Sequence, residues 1–228
     1  MSELLIFGGT GTLGQAIKDR FTKEGWNLTC GTRSVKEICD FQVPLNSAAL
    51  PELLKGKSFD AVVFAQGANV NDSVQNHDHA ELLRLFEANV SFISDHVKVL
   101  MEHDLIKRGG RITILSSFWE LLTRPEKFSY SVTKAAVGGL VRSMAVDLGR
   151  AKQILVNGVL PGIVDTPMSR GLLKPEQINN VEDGTPTGRL LVPADVGNVV
   201  YLLSSDLNTA ISGESILVDN GYSIARKI

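Results

Sequence analysis

The chain has 228 residues, 43% of them apolar and 21% charged, with a formal net charge of -2. That length can bury a substantial core in one domain spanning residues 1–228. The near-neutral balance excludes nucleic acid or an anionic membrane as the main partner, and no apolar run approaches the ~20 residues of a membrane span. In chain order, Leu4 to Phe7 reads as a strand and not as a signal peptide, because no basic segment precedes it and the run stops at Gly8. Leu13, Ile17 and Phe21 form the apolar stripe of a helix from Leu13 to Glu24, and Trp26 to Gly31 is a second strand. Ala61 to Ala65 is a short, wholly apolar strand of the kind buried on both faces. A long helix follows over His79 to His103, then a strand from Arg111 to Ser116 and a second long helix from Phe128 to Arg150. Ile154 to Val159 and Ser215 to Val218 complete the strands. This alternation predicts an α/β fold, a doubly wound parallel sheet with helices on both faces. The Pro- and Gly-rich stretch from Pro161 to Pro193 reads as an irregular lid or substrate loop, about residues 163–192.

Cys30 and Cys39 fall in segments read as strands and are expected to be buried thiols in a reducing cytosol, so the localisation reads as cytoplasmic. His77, His79, His96 and His103 have no Cys or carboxylate cluster at ligand spacing, and no metal site is expected.

The turn after the first strand reads Gly8-Gly9-Thr10-Gly11-Thr12-Leu13-Gly14. Gly9, Gly11 and Gly14 have Gly-x-Gly-x-x-Gly spacing between a strand and a helix. Such glycines make a tight turn, let backbone N–H groups approach a pyrophosphate and bring helix against strand, with the helix N-terminus facing the anion. The predicted fold is therefore Rossmann-like. Eighteen residues past Gly14 the second strand ends in Gly31-Thr32-Arg33. A carboxylate there would bind the ribose 2′-OH of NAD; the hydroxyl of Thr32 and guanidinium of Arg33 suit a 2′-phosphate, so NADP(H) is expected over NAD(H).

Tyr130 and Lys134 stand four apart on a predicted helix, on one face and about one turn from each other. An isolated phenol titrates near ~10, and a neighbouring ammonium favours the phenolate, which brings an acid–base group toward neutral pH. The pair predicts a lowered Tyr130 pKa.

With these motifs the chain resembles the short-chain dehydrogenase/reductase family, in its compact single-domain branch, over nearly the whole sequence. Ser117 lies thirteen residues before Tyr130, the family's spacing, and Asn89 in Glu87-Ala88-Asn89-Val90 matches its helix asparagine. Asn157 to Gly162, with Pro161, then Val164 and Asp165-Thr166-Pro167-Met168, match the stretch that holds the nicotinamide end. Val218-Asp219-Asn220-Gly221 resembles the family's closing motif, and Asp40, followed by Phe41, resembles the aspartate at the adenine edge. The resemblance implies hydride transfer between a ketone or aldehyde and an alcohol. Ser117 polarises the carbonyl, Tyr130 is the general acid/base, Lys134 lowers its pKa and holds the ribose, and Asn89 positions a relay water. It also implies a homodimer or homotetramer paired through the two long helices.

The chain departs from the family in three places. Thr12 replaces a usual glycine, and Phe64-Ala65-Gln66-Gly67 keeps only the glycine of the family's Asn-Asn-Ala-Gly, so Ala65, Gln66 and Gly67 should line the cofactor. Only Ser34 to Glu37 separate Arg33 from a third strand at Ile38-Cys39-Asp40, too few for a helical crossover of at least ~10 residues. The helix between strands 2 and 3 should be missing, the edge strand short, and Arg33 close to Asp40. For substrate, Trp119 could wall an apolar site, and Arg124 or Lys127 could meet an acidic group. The Tyr130–Lys134 spacing favours carbonyl over C=C reduction. A sugar epimerase or dehydratase, and a non-catalytic NADP(H)-binding sensor or scaffold, remain alternatives.

Overall fold

A computed structural model describes residues 1–32, 39–43, 47–172 and 174–225. Seven described strands form one parallel sheet in the order β3-β2-β1-β4-β5-β6-β7. They are β1 (Glu3–Phe7), β2 (Asn27–Thr32), β3 (Phe41–Gln42), β4 (Phe59–Phe64), β5 (Ile106–Leu115), β6 (Leu155–Pro161) and β7 (Ser215–Val218). The helices are α1 (Thr12–Lys23), α2 (Leu50–Leu53), α3 (His79–Phe86), α4 (Phe92–Glu102), α5 (Phe128–Lys152), α6 (Pro167–Leu172), α7 (Pro175–Gly184) and α8 (Pro193–Ser204). The doubly wound α/β expectation holds.

Successive strand residues point to opposite faces, and here both faces are apolar. Leu5, Phe7, Val62, Phe64, Ile112 and Ile114 pack with Val97 and Leu100 of α4 and Val137 and Val141 of α5. Leu4, Ile6, Ala61 and Val63 pack with Ile17 and Phe21 of α1 and Val196, Val200 and Leu203 of α8. The sequence reading did not include α8. It lies so close to α1 that a Cβ on Gly197 would stand 2.8 Å from the Ala16 carbonyl oxygen. No described helix is long and apolar enough to cross a membrane.

Four differences from the sequence expectations matter for the site. The helix expected over His79–His103 is two helices joined by a π turn, Glu87–Ser91. The Pro161–Pro193 stretch is not irregular throughout, since it contains α6 and α7. The third strand is Phe41–Gln42 and not Ile38–Asp40; it pairs in parallel with Gly31 and Thr32, and the eight-residue connection from Thr32 keeps this edge strand to two residues. Arg33, and so its expected approach to Asp40, lies outside the described residues. Finally, Cys30 and Cys39 are not free thiols but form a disulfide. The short connection explains it. Pairing of Gly31 with Phe41 draws the preceding residues back alongside β2, which sets the two Cα atoms 4.9 Å apart, within disulfide range.

Candidate active site

The chain leaves β1 toward β2 on one side and returns to β4 on the other, and a crevice opens at the carboxyl ends of these strands, where such sheets bind ligands. Gly8 makes the turn with φ +81°, and a Cβ there would stand 2.6 Å from the Gln66 backbone nitrogen. A Cβ on Gly14 would collide with the Gly8 carbonyl and come within 2.8 Å of Gly9 Cα. Gly11 differs, with nothing but the Gly8 oxygen nearby, at 3.7 Å. It begins α1 without a side-chain cap, so the first N–H groups of the helix, from Thr12 and Leu13 on, have no side-chain partner from the cap.

The cavity beside this turn has a volume of about 340 Å³ and is lined by Phe7, Gly8, Thr10, Gly11, Gly31, Thr32, Val43, Ala65, Gln66, Gly67, Ala88 and Phe92. Thr10 Oγ1 and Thr32 Oγ1 meet at 3.4 Å. Both polar atoms of the Gln66 amide are buried without a partner among the described residues, which leaves its NH2 donors and its oxygen acceptor for a ligand. An open glycine cradle at a helix N-terminus and an unpartnered amide fit the phosphates and sugar of a dinucleotide. Asp40 is engaged elsewhere, accepting the Cys30 N–H on Oδ2 at 2.6 Å. Phe41 lies against Gly31, where a Cβ would stand 2.7 Å from its ring, and meets Phe7 edge-on at 6.5 Å.

Past the far end of this crevice, Ser117, Tyr130, Lys134 and Asn89 come together from three elements. Ser117 follows β5, is buried, accepts the Trp119 N–H on Oγ at 3.3 Å, and lies close enough to the Tyr130 phenol to favour its charged form. Tyr130 and Lys134 are one turn apart on α5, with Lys134 Nζ 5.6 Å from the phenol ring centre. Nζ donates to the Leu115 carbonyl at 3.2 Å. Asn89, in the π turn, accepts the Ala68 N–H at 2.8 Å and donates to Thr133 Oγ1 at 3.0 Å. A Cβ on Gly67 would stand 3.4 Å from Asn89 Oδ1 and 3.7 Å from Lys134 Nζ, so the two side chains converge on this glycine.

The electrostatics differ from the expected lowered phenol. Burial pushes the Tyr130 phenol up to about 12, against a smaller opposite pull from the Ser117 hydroxyl. Burial pulls the Lys134 ammonium down to about 8, with Glu120 acting the other way. Each charged form has lost more hydration than its neighbours return. The protein as it stands therefore presents Tyr130 as a proton donor.

The segment after β6 is tied back firmly. The Gly162 N–H donates to the Val218 carbonyl at 2.8 Å, Val164 bridges to Leu191, and the Thr166 N–H donates to Ser169 Oγ at 2.9 Å. Asp219 closes the turn that follows β7 by accepting the N–H groups of Gly221 and Ser223. Trp119 and Arg124 meet each other, the guanidinium 6.0 Å from the indole centre. Three participants were not read from the sequence. One is the π turn. Another is Asp72, which accepts the Ser129 N–H at 2.9 Å and fixes the start of α5. The third is Glu120, whose Oε1 accepts the Ser215 hydroxyl at 2.7 Å while Oε2 is buried without a partner among the described residues.

A protein-family model described as enoyl-(acyl carrier protein) reductase matches residues 39–223. The chain is 26% identical to the oxidoreductase UcpA of Escherichia coli over 251 residues, which cover 98% of this chain and 95% of that protein. It is 31% identical to a cyclopentanol dehydrogenase of Comamonas over 171 residues, 75% of this chain and 68% of the relative. Among solved structures, a short chain dehydrogenase family protein from Francisella tularensis superposes with a TM-score of 0.84 at 25% identity, covering 98% of this chain and 99% of that one.

Proposed function

Because this chain belongs to the short-chain dehydrogenase/reductase family, we propose that it interconverts a ketone or aldehyde and an alcohol with NADP(H), residues 1–228 acting as one domain. The observation that carries this reading is the Tyr130 phenol, beside the Ser117 hydroxyl and one turn from a buried Lys134. The nicotinamide cofactor supplies or takes up the hydride when bound. The residues of the chain do the rest. The Ser117 hydroxyl faces the oxygen on which negative charge develops, and Tyr130 gives that oxygen its proton, or removes it in the reverse direction. Lys134 stabilises the phenolate left behind, and Asn89 holds the loop against which Lys134 rests. The spacing of four between Tyr130 and Lys134 supports carbonyl over C=C chemistry.

Gly8, Thr10, Gly11 and Gly14 would form the phosphate cradle, with Ala65, Gln66 and Gly67 along its floor and Pro161, Gly162, Val164 and Thr166 at the nicotinamide end. Preference for NADP(H) rests on Thr32, the last residue of β2, and on Arg33, which follows it in the sequence, neither of them a carboxylate. The exposed apolar side chains Leu83 and Phe86 on α3, and Val132 and Val146 on α5, support pairing of copies through these helices. Thermal stabilisation by NADPH against NADH tests the cofactor, and NADPH oxidation over a panel of ketones, with Tyr130→Phe as control, tests the chemistry. Equal stabilisation removes the cofactor preference; full turnover by Tyr130→Phe removes the mechanism.

A further inference from the structure

Lys127 immediately precedes α5, and its side chain is buried although it ends in an ammonium. Nζ donates to Asn71 Oδ1 at 2.6 Å and to Asn69 Oδ1 at 3.1 Å, and it stands 5.4 Å from the centre of the Tyr130 ring. The phenol thus has a lysine on either side, Lys134 at 5.6 Å and Lys127 at nearly the same distance. No described carboxylate is hydrogen-bonded to Lys127. Asp72, the acid whose charge helps hold the Lys127 proton, has both oxygens occupied by Ser129, at 2.9 Å to the N–H and 2.5 Å to the hydroxyl. Burial, and after it the positive charge of Arg124, loosen that proton. A desolvated cation whose direct contacts are two neutral amides, with the Asp72 charge acting only from a distance, is left with part of its burial cost uncompensated.

We infer that Lys127 is the anion anchor of the substrate site, and that the substrate is a carbonyl compound carrying a carboxylate a few bonds from the reacting carbon. This rests on the reading of Tyr130 as the group that protonates the carbonyl. Two of the three Nζ protons are taken by Asn69 and Asn71, which leaves one for the ligand. One charge-assisted hydrogen bond suits a carboxylate, whereas a phosphate dianion calls for several donors. An anion about 2.8 Å from Nζ stays within a few bonds of a carbonyl oxygen placed on the Tyr130 hydroxyl. Arg124, exposed three residues earlier, adds positive charge beside Lys127.

The test is NADPH-dependent reduction of acetoacetate against its neutral methyl ester, with an oxo-alkyl phosphate as a third arm. The wild-type protein is expected to favour the acid in kcat/KM by on the order of 10-fold to 100-fold, the range of one hydrogen bond to a charged group, with the difference mainly in KM. Lys127→Met should bring that ratio close to one, and Lys127→Arg should keep most of it. Asn71→Asp, at an exposed position, gives the ammonium an internal carboxylate and should also erase the ratio without removing Lys127. A wild-type ratio near one with the ester turned over, a ratio unmoved by Lys127→Met and Asn71→Asp, or a preference for the phosphate overturns the anchor and leaves the Tyr130 reading standing. If the wild-type protein turns over no carbonyl, that reading fails by itself, and calorimetric binding of acetoacetate and its ester to the NADPH-loaded protein decides the anchor. Acid-selective binding lost in Lys127→Met supports it, and equal binding overturns it.

Discussion

Asn89 holds Ala68 by both ends of its backbone, accepting the N–H on Oδ1 at 2.8 Å and donating from Nδ2 to the carbonyl at 3.0 Å. The same Nδ2 reaches Thr133 Oγ1 at 3.0 Å, so one amide joins the loop after β4, the π turn and α5. Asn89→Ala leaves these groups unpaired and is expected to cost about 1–3 kcal/mol of stability, read as a lower midpoint in urea. Asn89→Asp keeps the acceptor for the Ala68 N–H and loses both donations, so its midpoint should fall between the two.

The glycines of the first turn have separable duties. Gly14→Ala drives a methyl into the Gly8 carbonyl, a backbone clash that should cost about 1–3 kcal/mol or more. Gly11→Ala meets nothing closer than 3.7 Å and has an ordinary extended backbone, so the fold should keep its melting temperature. Its methyl occupies the cradle instead. A titration with NADPH should therefore show weaker binding in Gly11→Ala at unchanged stability.

On the proposed mechanism, the Lys134 ammonium, held down to about 8, should set an alkaline limit on carbonyl reduction. Below that pH the lysine is charged and stabilises the phenolate formed as Tyr130 gives up its proton; above it the charge is lost while Tyr130, at about 12, is still protonated. The profile of kcat/KM, which reports groups of the free enzyme, should be flat toward neutrality and fall above about 8. Lys134→Arg keeps its charge throughout, and a fall surviving unchanged in it would assign the limit to another group.

Burial lowers the pKa of His96, whose ring lies 3.9 Å from Phe92 and hydrogen-bonds the Phe92 carbonyl through Nδ1 at 2.7 Å. The unfolded chain then takes up a proton at higher pH than the folded one. His96 contributes no loss above its ordinary value of 6.5, and the fold weakens as pH drops below it. Urea midpoints between about pH 7 and about pH 5 should decline less steeply in His96→Phe, which keeps the aromatic contact.

Reducing the Cys30–Cys39 bond should also destabilise the protein. The two residues are separated by 9 positions, and closing so short a loop is worth about 2–3 kcal/mol in the chain-entropy account. Thermal melts with and without dithiothreitol measure it, and Cys39→Ala should be insensitive to the reductant.

Much of this site could be read from the sequence, because a turn, a strand end and a four-residue helical spacing each state their geometry locally. Gly8, Gly11 and Gly14 fix a strand–turn–helix, and the eight apolar residues of Leu4–Phe7 and Ala61–Phe64, with Ile112 and Ile114, fix the buried strands beside it. What could not be read depends on distant groups. Tyr130 and Lys134 suggested a lowered phenol, but the balance turns on how deeply both are buried. The disulfide depends on the parallel return of β3, and the cage around Lys127 on a loop more than fifty residues earlier. The Pro193–Ser204 helix did leave a local sign in Val196, Val199, Val200 and Leu203.

The π turn also left a sign. Leu85, Asn89, Ile93 and Val97 are all buried and stand four apart, a step that outruns the 3.6-residue turn and drifts across an ideal helix face. The extra residue in the wide turn at Glu87–Ser91 absorbs that drift and keeps α3 and α4 in phase on the same side of the sheet. Winding the same residues into a regular α turn, with none removed, would rotate all of α3 by about 100° relative to α4. Leu85 would swing out of the core, and exposed Leu83 or Phe86 would have to take its place. The insertion thus acts as an indexing step, setting at once which face of α3 is buried and where Asn89 meets Ala68.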